Sequence, residues 1–376
     1  MKGNLLASVT AIVLATSCDV GPSSSVPSTP GTAAPSNTAL SSVYAVLQQA
    51  SQDGQYSIYL VGIDGRIAGH ATAQAPSPDY GGYGPLVSTS DHKVYFLDGP
   101  STVKSLEPSG KVATAATLPS SATIQARFSV SPDDRRIAVA LLTYHVDGLA
   151  ITYGGMQMYV SDLNGANRVD IFSSPSVAEW PVEWLGADLV VAVAIPFANQ
   201  SGHGGSIAPF GALGGYHVIN SATGDRVAEL CPAKEGLPLG LPTHEGVLCE
   251  RYSDAAAILY DWTGAATKLG NIPPNPVYQA LEPGTRNFIV DNVNLSATSI
   301  YVTGATGDLR KLPGQVAELG FITRGKVLLA LIAESKLVVY DLASSSSAPV
   351  ALQPSNAGGS PYGAYGLLAG RLPGGL

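Results

Sequence analysis

The residues best suited to covalent or metal chemistry in this 376-residue chain are three cysteines and six histidines. His70, His92, His145, His203, His217 and His244 are scattered. None has the His-x-His or His-Glu-x-x-His spacing that sets two imidazoles on one ion. Cys18, Cys231 and Cys249 make no Cys-x-x-Cys pair, so a zinc centre is not expected. The sequence has no Gly-x-Ser-x-Gly nucleophile elbow, no phosphate-cradling loop and no dinucleotide fingerprint. Its carboxylates are too dispersed to nominate an acid–base pair. The expectation is a chain that is not an enzyme and carries no metal or cofactor, with recognition as its chemistry. The side chains that suit recognition are Tyr80, Tyr83, Tyr153, Trp180, Phe197, His203, Phe210 and Tyr278. Large aromatic faces with a polar handle are what binding surfaces favour. The competing expectation for each is packing between structural units.

The elements that position these residues are not helical. Gly (42) and Pro (27) recur throughout the chain, and each interrupts a helix at a cost of about 1 and about 3 kcal/mol respectively. A bundle or coiled coil is excluded. With 45% hydrophobic residues the chain as a whole is not disordered. A net charge of −8 and a pI near 5.2 argue against nucleic acid, which needs a basic footprint.

One unit returns along the chain: an apolar or aromatic strand, a polar-Gly turn, and a shorter second strand. The copies are Ser57–Ala73, Thr102–Thr117, Gln157–Phe172, Tyr216–Leu230, Ala257–Leu269, Ser299–Leu312 and Lys336–Leu352. Six turns contain glycine: Gly65, Gly110, Gly165, Gly224, Gly264 and Gly307. The seventh has the serine run Ser344–Ser347 in its place. Glycine supplies the positive φ that folds a hairpin straight back. Turn spacing runs from 38 residues (Thr306 to Ser344) to 59 (Asn164 to Thr223), the range of propeller blades. A looser hairpin lies between successive copies, as in Leu86–Asp98, Phe128–Ala140, Val182–Ala194, Leu239–Arg251, Ala280–Asn292 and Glu318–Ile332. Two hairpins per repeat predict an all-β fold, a single seven-bladed β-propeller of four-stranded blades.

The stretch Phe128-Ser129-Val130-Ser131-Pro132-Asp133-Asp134-Arg135-Arg136-Ile137-Ala138 resembles the TolB-like propeller repeat, whose mark is Trp-Ser-Pro-Asp-Gly-x-x-Ile-Ala. Phe128, Val130 and Asp134 replace or shift parts of that mark. Val218–Val227 is similar to the related YVTN-type repeats. The resemblance implies protein–protein contact in a bacterial cell envelope. Trp184 matches the motif's Trp and is expected in the core. Ser42–Gln48 reads as a second strand, although Leu40, Val43, Tyr44, Leu47 and Ala50 also fit a helical period. Ala364–Leu372 reads as an unpaired first strand, so the tail is expected to complete blade 1. The longest connections between second and third strands are expected at Thr143–Gly155 and Pro196–Gly215. Blade-to-blade connections are expected at Asp79–Tyr83, Glu179–Pro181 and Pro276–Tyr278. All of these open on one face, which makes that face the candidate recognition surface.

The N-terminus gives the address. Lys2 precedes the short apolar run Leu5–Leu14, too short to cross a bilayer, and Ala15-Thr16-Ser17 leads into Cys18. This resembles a bacterial lipoprotein signal with Ala15 in place of the usual lipobox Leu. The resemblance implies cleavage after residue 17 and acylation of Cys18. Residues 19–42 are almost all Ser, Pro, Thr, Ala, Gly and Asn, a composition suited to a tether. The expected organisation is a signal peptide over 1–17, an anchored tether over 18–42, and a propeller over 43–376. It predicts an extracytoplasmic monomer held to a membrane, with an envelope protein or a cell-wall glycan as partner; the further alternative is an extracytoplasmic hydrolase or lyase with its residues spread over several blades. In that oxidising compartment Cys231 and Cys249 form either a disulfide or two buried thiols.

Overall fold

The computed structural model describes residues 42–51, 53–76, 86–147, 150–194, 213–272, 276–292, 300–304, 306–312, 316–355 and 364–376. Their strands form seven four-stranded antiparallel sheets, the blades of a β-propeller. Blades 2 to 7 each take four consecutive strands, beginning on the inner one and stepping outward. Their inner strands are Val87–Thr89, Ile124–Val130, Glu179–Leu185, Gly236–Thr243, Pro276–Leu281 and Val316–Thr323. Blade 1 joins the two ends of the domain. Tyr44–Ala50, Gln55–Gly62 and Ile67–Gln74 are its outer three strands, and Leu367–Leu372 is its inner one. Tyr44 stands opposite Leu372 and Gln48 opposite Leu367. The tail thus closes the ring as its pattern predicts, and Tyr44–Ala50 is strand rather than helix.

Burial follows position in the blade. Middle strands are covered on both faces by neighbouring blades, so Val94–Leu97 and Leu189–Ala192 are continuously apolar and buried. Outer strands alternate: in Ile67–Gln74 the side chains of Ala71 and Ala73 are buried while His70 and Thr72 are exposed. Trp184 is fully buried, donates Nε1–H to the Ser129 carbonyl at 3.2 Å, and lies under the Arg136 guanidinium at 4.5 Å.

The repeated turns behave as their residues require. Gly65, Gly110, Gly165, Gly224, Gly264 and Gly307 hold φ between 67° and 87°, and Ser345 holds 58° at the equivalent point of blade 7. Two of these glycines meet a second constraint. A Cβ on Gly224 would fall 1.8 Å from the Ile171 carbonyl oxygen of blade 3. One on Gly65 would fall 2.6 Å from that of Pro349 in blade 7. Neighbouring blades approach too closely there for any side chain.

Asp134 explains a departure from the TolB-like motif. It has φ 63° where the motif has glycine. Its carboxylate accepts from the Tyr95 hydroxyl at 2.9 Å and pairs with Lys93 Nζ at 3.1 Å, both in blade 2. Asp tolerates the left-handed region better than most residues, and here it also docks one blade on the next. Within the turn, Ser131 Oγ accepts from the Arg136 N–H and donates to Asp133.

Three expectations are corrected. Thr143–Gly155 is not a long loop but the continuation of a hairpin between Arg136–Asp147 and Ala150–Asp162. Glu179-Trp180-Pro181 and Pro276-Val277-Tyr278 are not connections either; they begin the inner strands of blades 4 and 6. An inner strand has a free edge toward the channel, and an edge strand tolerates proline, as at Pro181 and Pro276. Cys231, just after the outer strand of blade 4, is joined to Cys249 in the second strand of blade 5, with Cα atoms 6.0 Å apart. The bond links two blades.

Candidate functional site

The two ends of the propeller differ. At the end where inner strands begin, blade 3 carries the longest strands described, of 12 and 13 residues. The inner strand of that blade reaches Thr143, opposite Ile124, and the outer strand reaches Met156, opposite Ser174. Beyond those points the Tyr144 N–H still donates to the Thr123 carbonyl at 2.9 Å, and the two long strands pair with each other through Tyr144–Tyr153 to Asp147–Ala150. The hairpin therefore projects from the blade. Its base is fixed by packing: Tyr144 is buried and meets Tyr153 edge-to-face, with ring centroids 6.1 Å apart. Tyr153 donates its hydroxyl to the Val177 carbonyl at 2.7 Å. His145 lies over Gly154, where an added Cβ would come within 2.7 Å of Nε2. Blade 4 supports the same region. The Glu179 N–H points at Met156 Sδ at 3.1 Å, and the buried carboxylate of Glu179 is 3.0 Å from His217 Nδ1.

At the opposite end, where inner strands run into their first turns, the central channel holds a cavity of about 430 Å³. Val43, Leu241, Ile322 and Trp180 give it an apolar wall, and Asp91, Arg127, Glu183 and Arg371 give it charge. His244, in the first turn of blade 5, is exposed and marks its mouth. Residues after the closing strand cross the other side of the mouth. Gly374 N–H donates to the Ser90 carbonyl at 2.7 Å and Leu376 N–H to that of Trp184 at 2.9 Å. Between them, Gly375 N–H donates to Glu183 Oε1 at 3.0 Å.

The charged groups here are strongly perturbed. Burial pushes the Glu183 carboxyl up to about 7, against the pull of the Gly375 N–H and the Arg371 charge. Burial lowers Arg371 to about 10, while Glu183 and Glu245 favour its charged form. Arg371 donates Nε–H to the Phe321 carbonyl at 2.8 Å and Nη1–H to that of Pro242 at 3.1 Å. Burial also raises Asp91, with Asp134 and Asp133 adding to the effect and His92 opposing it. Among the described residues no three His, Cys, Asp or Glu side chains are placed to hold a metal.

Of the aromatic residues singled out in sequence, Trp180 and Tyr153 have described side chains. Trp180 is 2% exposed and packs in the core, with part of it lining the cavity. Its place on an inner strand turns it inward, so it offers no open platform. Tyr153 is half-buried at the base of the projecting hairpin. Cys18, Tyr80, Tyr83, Phe197, His203 and Phe210 lie outside the described residues, as does the side chain of Tyr278. Glu183 and Arg371 escaped sequence reading because nothing in either segment marks them. They are brought together only when the tail closes blade 1.

No family model and no curated protein matches the chain. Solved structures do. Apo AztD from Citrobacter koseri is 12% identical, covering 84% of this chain and 97% of its own, with a TM-score of 0.44. An oligogalacturonate lyase from Vibrio parahaemolyticus is 7% identical over 81% of this chain and 90% of its own, at 0.46. A puromycin-hydrolyzing peptidase from Mycobacterium tuberculosis is 14% identical over 83% of this chain, at 0.46. The matched region is 55% of that peptidase, so this chain spans about half its length. At such identities the likeness is one of fold alone.

Proposed function

We propose that this chain is a non-catalytic, envelope-tethered propeller that binds a protein partner through the face carrying the blade 3 hairpin. One observation supports the reading above others: the Tyr144–Tyr153 hairpin stands beyond the strands that flank it, on a base pinned by Tyr144, Tyr153 and Met156. Free hairpin edges offer backbone N–H and C=O groups to which an extended segment of a partner can add. Presented on a closed ring of sheets, such an edge needs little ordering on binding. The lipoprotein-like N-terminus would hold the protein, as a monomer, on the outer side of a bacterial membrane. The Cys231–Cys249 bond suits that oxidising compartment.

The test shortens the hairpin without disturbing its base. Tyr144 and Tyr153 stand directly opposite each other, so an Asn-Gly turn can replace residues 145–152 and join them. The variant is expected to keep the unfolding midpoint of the wild type and to lose the protein that the wild type captures in an envelope crosslinking pull-down. Capture of the same protein by the variant would overturn the reading.

A further inference from the structure

The cavity at the other end of the channel is a second candidate site, independent of the hairpin. Its volume of about 430 Å³ falls in the range of small-molecule sites. Two opposite charges, Glu183 and Arg371, stand in its wall, each favouring the charged form of the other. Glu183 and Arg371 form no ion pair with one another. Among the described residues Glu183 Oε2 and Arg371 Nη2 have no hydrogen-bond partner. Both residues are half-buried, so a polar group of a ligand can reach these unpaired positions from the cavity.

Gly374, Gly375 and Leu376 donate three successive backbone N–H groups to Ser90, Glu183 and Trp184, so backbone already occupies one side of the mouth. The remaining wall, on the side of Leu241 and Ile322, is apolar. We propose that this cavity binds a short zwitterionic peptide of apolar residues. Arg371 would receive its carboxylate, Glu183 its ammonium group, and the apolar wall its side chains. A neutral zwitterion fits better than a simple ion, because Asp91 and Glu183 match Arg127 and Arg371 in the lining.

The charge state of Glu183 gives the sign of the pH dependence. An ammonium group binds the ionised carboxylate, so affinity is present above the Glu183 pKa of about 7 and is lost as pH falls through it. Between about pH 7.5 and about pH 5.5 the affinity is expected to fall roughly tenfold. Asp91, Arg127, His244 and Arg371 also face the site, and Glu245 acts on Arg371. A variant separates the contribution of Glu183 from theirs.

The experiment is calorimetric titration of the full chain with the dipeptide valyl-leucine, its N-acetyl form and its C-terminal amide. Valyl-leucine is expected to bind, and each blocked form to bind at least about tenfold more weakly. Glu183→Gln keeps an acceptor for the Gly375 N–H, so it is expected to fold. It should weaken valyl-leucine about tenfold at neutral pH and flatten the pH profile. Absence of valyl-leucine binding in the millimolar range would overturn the proposal. So would equal binding of the blocked forms, or an undiminished pH profile in Glu183→Gln.

Discussion

Removal of residues 364–376 is expected to abolish folding of the whole propeller, not only of blade 1. The deleted segment contains the inner strand Leu367–Leu372, whose Leu368, Ala369 and Leu372 are at most 6% exposed. Burying each leucine contributes about 1.5–3 kcal/mol, on the scale of a domain's total stability of about 5–15 kcal/mol. The deletion also uncovers the Tyr44–Gln48 edge and breaks the contact of Arg371 with blades 5 and 7. An open, apolar edge strand invites association between chains. Size-exclusion chromatography should show aggregate, and urea unfolding no cooperative transition. The milder Leu372→Ala change should cost about 2–5 kcal/mol. A deleted chain that remained monomeric with the wild-type midpoint would show that the ring does not depend on its closing strand.

Glu282→Ala is expected to be among the most destabilising single substitutions, at about 3–5 kcal/mol. Glu282 directly follows the inner strand of blade 6, is 3% exposed, and collects four donors. Oε2 accepts from Thr285 Oγ1 at 3.0 Å, Asn287 Nδ2 at 2.8 Å and the Tyr301 hydroxyl at 2.7 Å. Oε1 accepts from the Gly325 N–H of blade 7 at 2.7 Å. The alanine variant leaves several of these donors buried without an acceptor, which costs more than the bonds themselves contribute. Glu282→Gln preserves shape but replaces one acceptor oxygen by a donor, so an intermediate loss is expected. The urea midpoint is the measurement. A midpoint within about 0.5 kcal/mol of the wild type would mean that water replaces the lost contacts.

The architecture was legible because each blade repeats the same local chemistry. Gly65, Gly110, Gly165, Gly224, Gly264 and Gly307 announce the outer hairpins, and the serine run around Ser345 stands in for the missing glycine. The unpaired apolar run near the C-terminus announced closure. Trp184 was recognisable as core from its place in the motif. Local signals misled where a residue's meaning depends on which edge of a sheet it occupies. Pro181 and Pro276 look like breaks until the channel-facing edge of an inner strand is known. The sequence around Asp147-Gly148 reads as a long loop by length, yet that dipeptide is itself a hairpin turn signal. The pair Glu183 and Arg371 had no signal at all, since it depends on inner strands nearly 190 residues apart in sequence.

The projecting hairpin can be interrogated in place. A photo-crosslinking amino acid at Asp147, which is exposed at the hairpin tip, would be compared in living cells with one at Val227. Val227 is 58% exposed on the outer strand of blade 4 and serves as the control position. Binding through the hairpin face predicts one discrete protein adduct from position 147 and none from position 227. Equal labelling at the two positions, or no protein adduct at 147 in cells where the protein is abundant, would contradict it.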